Sequence, residues 1–85
     1  MVCEYTMTTF NHYAAVQDLI LRLEREGFAA GAEDLRLAVE GGATGTEIFM
    51  ALRFHLLGII KRGNLIAETR QSAMELVTKL EEGLR

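Results

Sequence analysis

Residues 46–62 have the sequence TEIFMALRFHLLGIIKR, which combines helical spacing with apolar side chains on two faces. One arc of about 120° carries Ile48, Phe49, Leu52, Leu56, Ile59 and Ile60. On the far side, a second apolar row with i, i+4, i+7 spacing consists of Met50, Phe54 and Leu57. A helix that is apolar on two faces is either central in its domain or buried against another chain. Because three neighbouring helices cannot easily cover it completely in a chain of 85 residues, the segment predicts self-association.

The rest of the chain shows three further segments of helical periodicity and no alternating pattern typical of a strand. The four predicted helices are residues 10–26, 31–40, 46–62 and 65–83. Glycines typical of left-handed helix ends follow the first three helices, at Gly27, Gly41, Gly42 and Gly63, and the chain contains no proline. The sequence therefore predicts an all-α fold, a single four-helix bundle-like domain at 9–85 with a short second helix and a central, apolar third helix. Residues 1–8 are expected to form a flexible N-terminal tail.

Composition excludes several classes of protein. The single cysteine, Cys3, allows no disulfide within the chain and no multi-cysteine zinc site. A net charge of −3, with no basic cluster beyond residues 61–62, argues against nucleic-acid binding. The longest apolar run, residues 48–60, contains Arg53 and His55 and is shorter than the roughly 20 residues that a bilayer span needs. We therefore expect a cytoplasmic protein with neither a nucleic-acid nor a membrane partner.

Residues 41–47, GGATGTE, form a glycine-rich segment ahead of the third helix. Such a segment can bind an anion with free backbone N–H groups. It lacks the lysine of a P-loop, however, and follows a helix rather than a strand. Thr44 and Glu47 have the spacing of a capping box, in which each side chain accepts a hydrogen bond from the backbone N–H of the other residue. The pattern therefore favours a helix cap over an anion site.

The sequence offers no set of residues for catalysis. The only serine, Ser72, has no histidine near it in sequence, and His55 has no second metal ligand one helical turn away. We therefore predict that the protein is not an enzyme and that it has no cofactor and no metal site. His55 or Arg53 would serve as the polar anchor if an apolar ligand occupied a pocket between helices one, three and four.

The strongest functional prediction is an interface on the third helix. Monomeric proteins rarely expose apolar patches larger than a few hundred Å². Ala51 and Gly58, two small residues seven positions apart on the third helix, would let another helix approach closely. Leu21 and Leu37 lie off the apolar stripes of the first two helices. The predicted interface residues are Met50, Phe54, Leu57, Ala51, Gly58, Leu21 and Leu37.

The segment 42–53, GATGTEIFMALR, resembles one found in small bacterial all-helical proteins of unknown function. It covers 12 of the 85 residues. The resemblance implies a bacterial, soluble, helical protein and brings no activity, cofactor or binding residue with it.

Three functions remain open from the sequence. The first is a non-enzymatic interaction or regulatory module that forms a homodimer through the third helix. The second is an antidote or immunity-type protein that binds a toxin through an acidic face, which rests on the size, acidity and helix count of the chain. The third is a binder of a small apolar ligand.

Overall fold

The computed structural model describes residues 10–84, which form four α-helices and, within that range, no strand. The helices are α1 His12–Arg25, α2 Ala29–Gly41, α3 Gly45–Arg62 and α4 Ala67–Leu84. The predicted all-α, four-helix fold is confirmed, and α2 is the shortest helix, with 13 residues. The predicted tail at residues 1–8 lies outside the described residues.

The four helices form a ring in which each helix packs against the two that flank it. Contacts join α1 to α2, α2 to α3, α3 to α4, and α4 back to α1. Within the described residues, no Cα atom of α1 lies within 8 Å of a Cα atom of α3. The expected central position of the third helix is therefore wrong, because α3 has two adjacent helices, as the other three do. One side of α3 consequently faces away from the bundle.

A single apolar core fills the ring. On α3 the inner arc is buried as the periodicity predicts, with Leu52 and Leu56 fully inaccessible. Ile48, Phe49 and Ile60 at the edges of the arc pack partly buried against the core. The buried core consists of Val16, Leu19, Ile20, Leu23, Ala32, Leu35, Ala38, Leu52, Leu56, Ile59, Ala73, Leu76, Val77 and Leu80.

The helix ends use glycine in two different ways. Gly27 and Gly63 have φ of +88° and +78°, the left-handed conformation that glycine adopts without steric penalty. Gly42 instead ends α2 with φ −80° and ψ 138°, so the left-handed end predicted there is wrong. A Cβ atom at Gly42 would collide with the side chain of Ile48. The glycine is therefore needed for close approach of the loop to α3.

The N-termini of α1 and α4 differ in how they begin. Asn11 caps α1, because its Oδ1 accepts a hydrogen bond from Ala14 N at 3.0 Å. The fourth helix, which the sequence predicts to begin at residue 65, starts differently. That helix begins at Ala67, and Arg70 N donates to Ile66 O as the first bond of the helix. Leu65, in the segment between Gly63 and the helix, packs against the core.

Aromatic rings bridge the α1–α3 diagonal at one end of the bundle. The ring of His12 lies 4.6 Å from that of Phe49, centroid to centroid, and His12 Nε2 donates to Lys79 O at 3.2 Å. A Cβ atom at Gly83 would lie 2.7 Å from Cε2 of Phe49. The glycine therefore allows the end of α4 to pack directly on this ring.

Candidate interaction surface

The α3 outer surface, which we define as Met50, Phe54 and Leu57, lies on the side of α3 that faces away from the other three helices of residues 10–84. These side chains are 58%, 72% and 41% exposed, respectively. They share one face because their spacing of four and three residues brings each one turn further along the same side of the helix. The second apolar row of the sequence is therefore outside the core of the single chain.

A charged or polar group with an acidic partner borders each flank of this surface. Towards α4, Arg53 Nε donates to Glu81 Oε2 at 2.7 Å. Towards α2, Nδ1 of His55 lies 4.0 Å from Asp34 Oδ2, an ion pair only when the histidine is protonated. Arg53 and His55 thus lie on opposite flanks of α3, and the structure does not bring the two predicted polar anchors together.

The two small residues predicted for the interface border the α3 outer surface on its α2 side. Ala51 is partly buried and packs against the core. Gly58 is half-buried, but a Cβ atom built on it would meet no atom within 4 Å. Gly58 is therefore not required by the packing of the chain itself, although glycine in a helix interior destabilises that helix.

The two leucines predicted for the interface lie on other helices. Leu37 is on α2, which packs beside α3, and Leu21 is on α1, the helix diagonal to α3. Both are 55% exposed. Leu21 therefore belongs to a different side of the bundle, and the predicted interface residues do not form one continuous surface. This separation follows from the order of the helices around the ring, which hydrophobic periodicity does not contain.

The two ends of α3 carry opposite charges. At the N-terminus, Thr44 Oγ1 accepts from Glu47 N at 3.1 Å, and Glu47 Oε1 accepts from Ala43 N at 2.9 Å. Thr44 and Glu47 thus cap α3, but the carboxylate reaches the N–H of Ala43 instead of that of Thr44. Lys61 and Arg62 occupy the last turn. Both ends are favourable, because each charge opposes the partial charge of the helix terminus beside it.

A polar cleft between α1 and α4 was not predicted from the sequence. Thr69 is 2% exposed, and its hydroxyl donates to Glu26 Oε2. The other carboxylate oxygen of Glu26 is buried and has no hydrogen-bond partner. The cleft has a volume of about 530 Å³ and is lined by Asp18, Arg22, Arg25, Glu26, Ile66, Glu68 and Thr69. The one signal in the sequence is Thr69 itself, a polar residue two turns before Leu76 on the inner stripe of α4.

Across residues 10–84, no group of three or more His, Cys, Asp or Glu side chains is placed to hold a metal ion. No helix in this range has both the length and the apolar character required to cross a bilayer. Comparison with protein-family models, with curated proteins and with solved structures finds no significant match.

Proposed function

We propose that this protein is a non-enzymatic interaction module that forms a homodimer by burying the α3 outer surface against a second copy. The single observation that carries the proposal is the exposure of Met50, Phe54 and Leu57 in one row of the folded chain. Burial of apolar surface contributes roughly 25 cal/mol per Å². A row of three large apolar side chains on one helix therefore supplies a substantial driving force for association.

The surroundings of the row resemble those of a protein interface. Interfaces have an apolar centre and a polar rim, and aromatic residues and methionine are enriched at the centre. Phe54 and Met50 supply the centre here, and the Arg53–Glu81 pair lies at the rim. Each of the two polar groups nearest the row has an acidic partner on its own flank, which favours a role at the rim over a shared catalytic role.

A matched pair of charge substitutions tests the proposal. Phe54→Glu places a carboxylate at the centre of the α3 outer surface, whereas Leu21→Glu places one at a similarly exposed apolar position on α1. Sedimentation equilibrium should give a dimer for the wild type and for Leu21→Glu, and a monomer for Phe54→Glu. Circular dichroism should show the same helix content in all three, because neither residue is in the core.

Two results would contradict the proposal. A wild-type chain that stays monomeric at high micromolar concentration would show that the row does not bind a second copy. Equal dissociation by Phe54→Glu and Leu21→Glu would show that dimerisation does not depend specifically on α3. If the wild type is monomeric, the homodimer is withdrawn.

A further inference from the structure

The outer side of α3 has a symmetric pattern centred on Phe54. Glu47 lies seven residues before Phe54, and Lys61 lies seven residues after it. Seven residues make almost two helical turns, so all three positions face the same side of the helix. Glu47 and Lys61 are both exposed. The exposed side of α3 therefore has an acidic end, an aromatic centre and a basic end at equal spacing.

The residues between these ends repeat the same symmetry in size. Met50 and Leu57 are both large and are seven residues apart, with their midpoint between residues 53 and 54. Ala51 and Gly58 are both small and are also seven residues apart, with their midpoint between residues 54 and 55. Large residues therefore form one strip along α3 and small residues form a parallel strip on its α2 side.

We propose that the second copy packs on the α3 outer surface in antiparallel orientation, with a two-fold axis passing beside Phe54; this inference rests on the homodimer proposed above. A two-fold axis perpendicular to both helices places each residue opposite a residue of the same strip that lies at nearly the same distance on the other side of Phe54. Met50 then faces the partner's Leu57, and Ala51 faces the partner's Gly58. The two Phe54 side chains meet at the axis.

Charge selects this orientation over a parallel one. In the antiparallel pair, Glu47 faces the partner's Lys61 at both ends of the interface. In a parallel pair, Glu47 would lie beside the partner's Glu47, and like charges placed side by side disfavour that arrangement. The macrodipoles of the two α3 helices also oppose each other only in the antiparallel pair. Exposed ion pairs contribute little affinity, so they determine orientation while the apolar row supplies the binding energy.

The strip of small residues gives a reason for Gly58, which the packing of the single chain does not require. Gly58 has open space where a Cβ atom would lie, so its own bundle would accept a larger residue. Opposite the partner's Ala51, the missing side chain lets the two backbones approach closely, as small residues do at tightly packed helix pairs. The antiparallel dimer thus gives Gly58 a role that the monomer lacks.

Disulfide cross-linking tests the orientation. Starting from Cys3→Ser, which leaves the chain without cysteine, we would prepare Glu47→Cys and Lys61→Cys separately and mix them, keeping Phe54 in place in both. In the antiparallel dimer, two residues 47 are about 21 Å apart along the helices, too far for a disulfide, whose Cα atoms lie about 4.4–6.8 Å apart. Residue 47 of one copy instead lies opposite residue 61 of the other. Leu21→Cys, on the diagonal helix, is the control that measures cross-linking by random collision.

The expected result is little cross-linking of either variant alone and more than about tenfold greater cross-linking in the mixture, because facing thiols have millimolar effective concentration. Cross-linking of Glu47→Cys to itself would indicate a parallel dimer and would overturn the inference while leaving the homodimer intact. If the wild type is a dimer but the mixture gives no more cross-linked product than Leu21→Cys does, the proposed register is wrong. A monomeric wild-type chain in sedimentation would remove the homodimer itself, so the two failures are distinguishable.

Discussion

The inner and outer sides of α3 have similar apolar residues and opposite environments. Leu52 on the inner side is fully buried, whereas Phe54, two residues later and equally apolar, is 72% exposed. The difference arises from the ring of helices, because α3 has α2 and α4 beside it and, among residues 10–84, no helix packs on its remaining side. Hydrophobicity therefore indicates that both faces of α3 need a partner, while the topology determines which face the chain itself can cover.

The outer junction of α1 and α2 carries charged side chains, in contrast to the apolar outer side of α3. There, Arg36 donates to Glu24 Oε2 at 2.7 Å and to Glu33 Oε1 at 2.6 Å. The hydrogen bond from Arg36 to Glu24 raises the pKa of its guanidinium most, and the hydrogen bond to Glu33 raises it further. Such a surface is well solvated, and exposed ion pairs of this kind contribute little to stability. The outer side of α3 is therefore less suited to water than the outer junction of α1 and α2.

The largest expected effect comes from a charge on the inner side of α3. Leu52→Glu puts a carboxylate at a position that is fully buried and has no polar partner, and burial of an unpaired charge is strongly unfavourable. The loss should exceed about 5 kcal/mol, the lower range of the stability of a small domain. Circular dichroism should therefore show loss of the cooperative unfolding transition. A folded Leu52→Glu variant would contradict the assignment of this face to the core.

A smaller effect on the free energy of unfolding is expected from truncating Leu56 and Leu57, two adjacent leucines in different environments. Leu56 is fully buried and Leu57 is 41% exposed. In a Phe54→Glu background, which removes the proposed dimer, Leu56→Ala should lower the free energy of unfolding by about 2–5 kcal/mol. Leu57→Ala should lower it by about 0.5 kcal/mol or less. Urea denaturation measures both, and equal losses would place Leu57 in the core and remove it from the α3 outer surface.

The smallest effect compares an outer and an inner glycine. Gly58→Ala should raise the free energy of unfolding by about 0.5–1 kcal/mol in the same background, because alanine favours the helix and its Cβ atom meets nothing. At Gly31 the added Cβ atom would lie 3.2 Å from Cδ1 of Ile59. We expect no gain from Gly31→Ala in the same denaturation experiment. A gain at Gly31 that equals the gain at Gly58 would show that the α2–α3 contact is looser than this structure indicates.

The sequence predicts the fold through features that are local in the chain. Helical periodicity identifies the inner arc of α3 around Leu52, and the spacing of Thr44 and Glu47 identifies the start of that helix. These predictions succeed because helix caps and amphipathic stripes depend on residues three or four positions apart. The row at Met50, Phe54 and Leu57 is visible for the same reason.

The features that the sequence did not predict depend on contacts between distant residues. Leu21 was grouped with the α3 row because the order of the helices around the ring is not a local property. The hydrogen bond between Glu26 and Thr69 joins residues 43 positions apart, and no pattern of spacing predicts that approach. The sequence predicts a left-handed helix end at Gly42 because a glycine needed for close packing against Ile48 has the same sequence signature.

The central claim is that a second copy of the chain covers the α3 outer surface. The most direct test is light scattering on a sizing column, at two loading concentrations tenfold apart. A mass of twice 9.5 kDa at both concentrations is the result that the account predicts. A mass of 9.5 kDa at both concentrations would contradict it and would leave Met50, Phe54 and Leu57 exposed in the free protein.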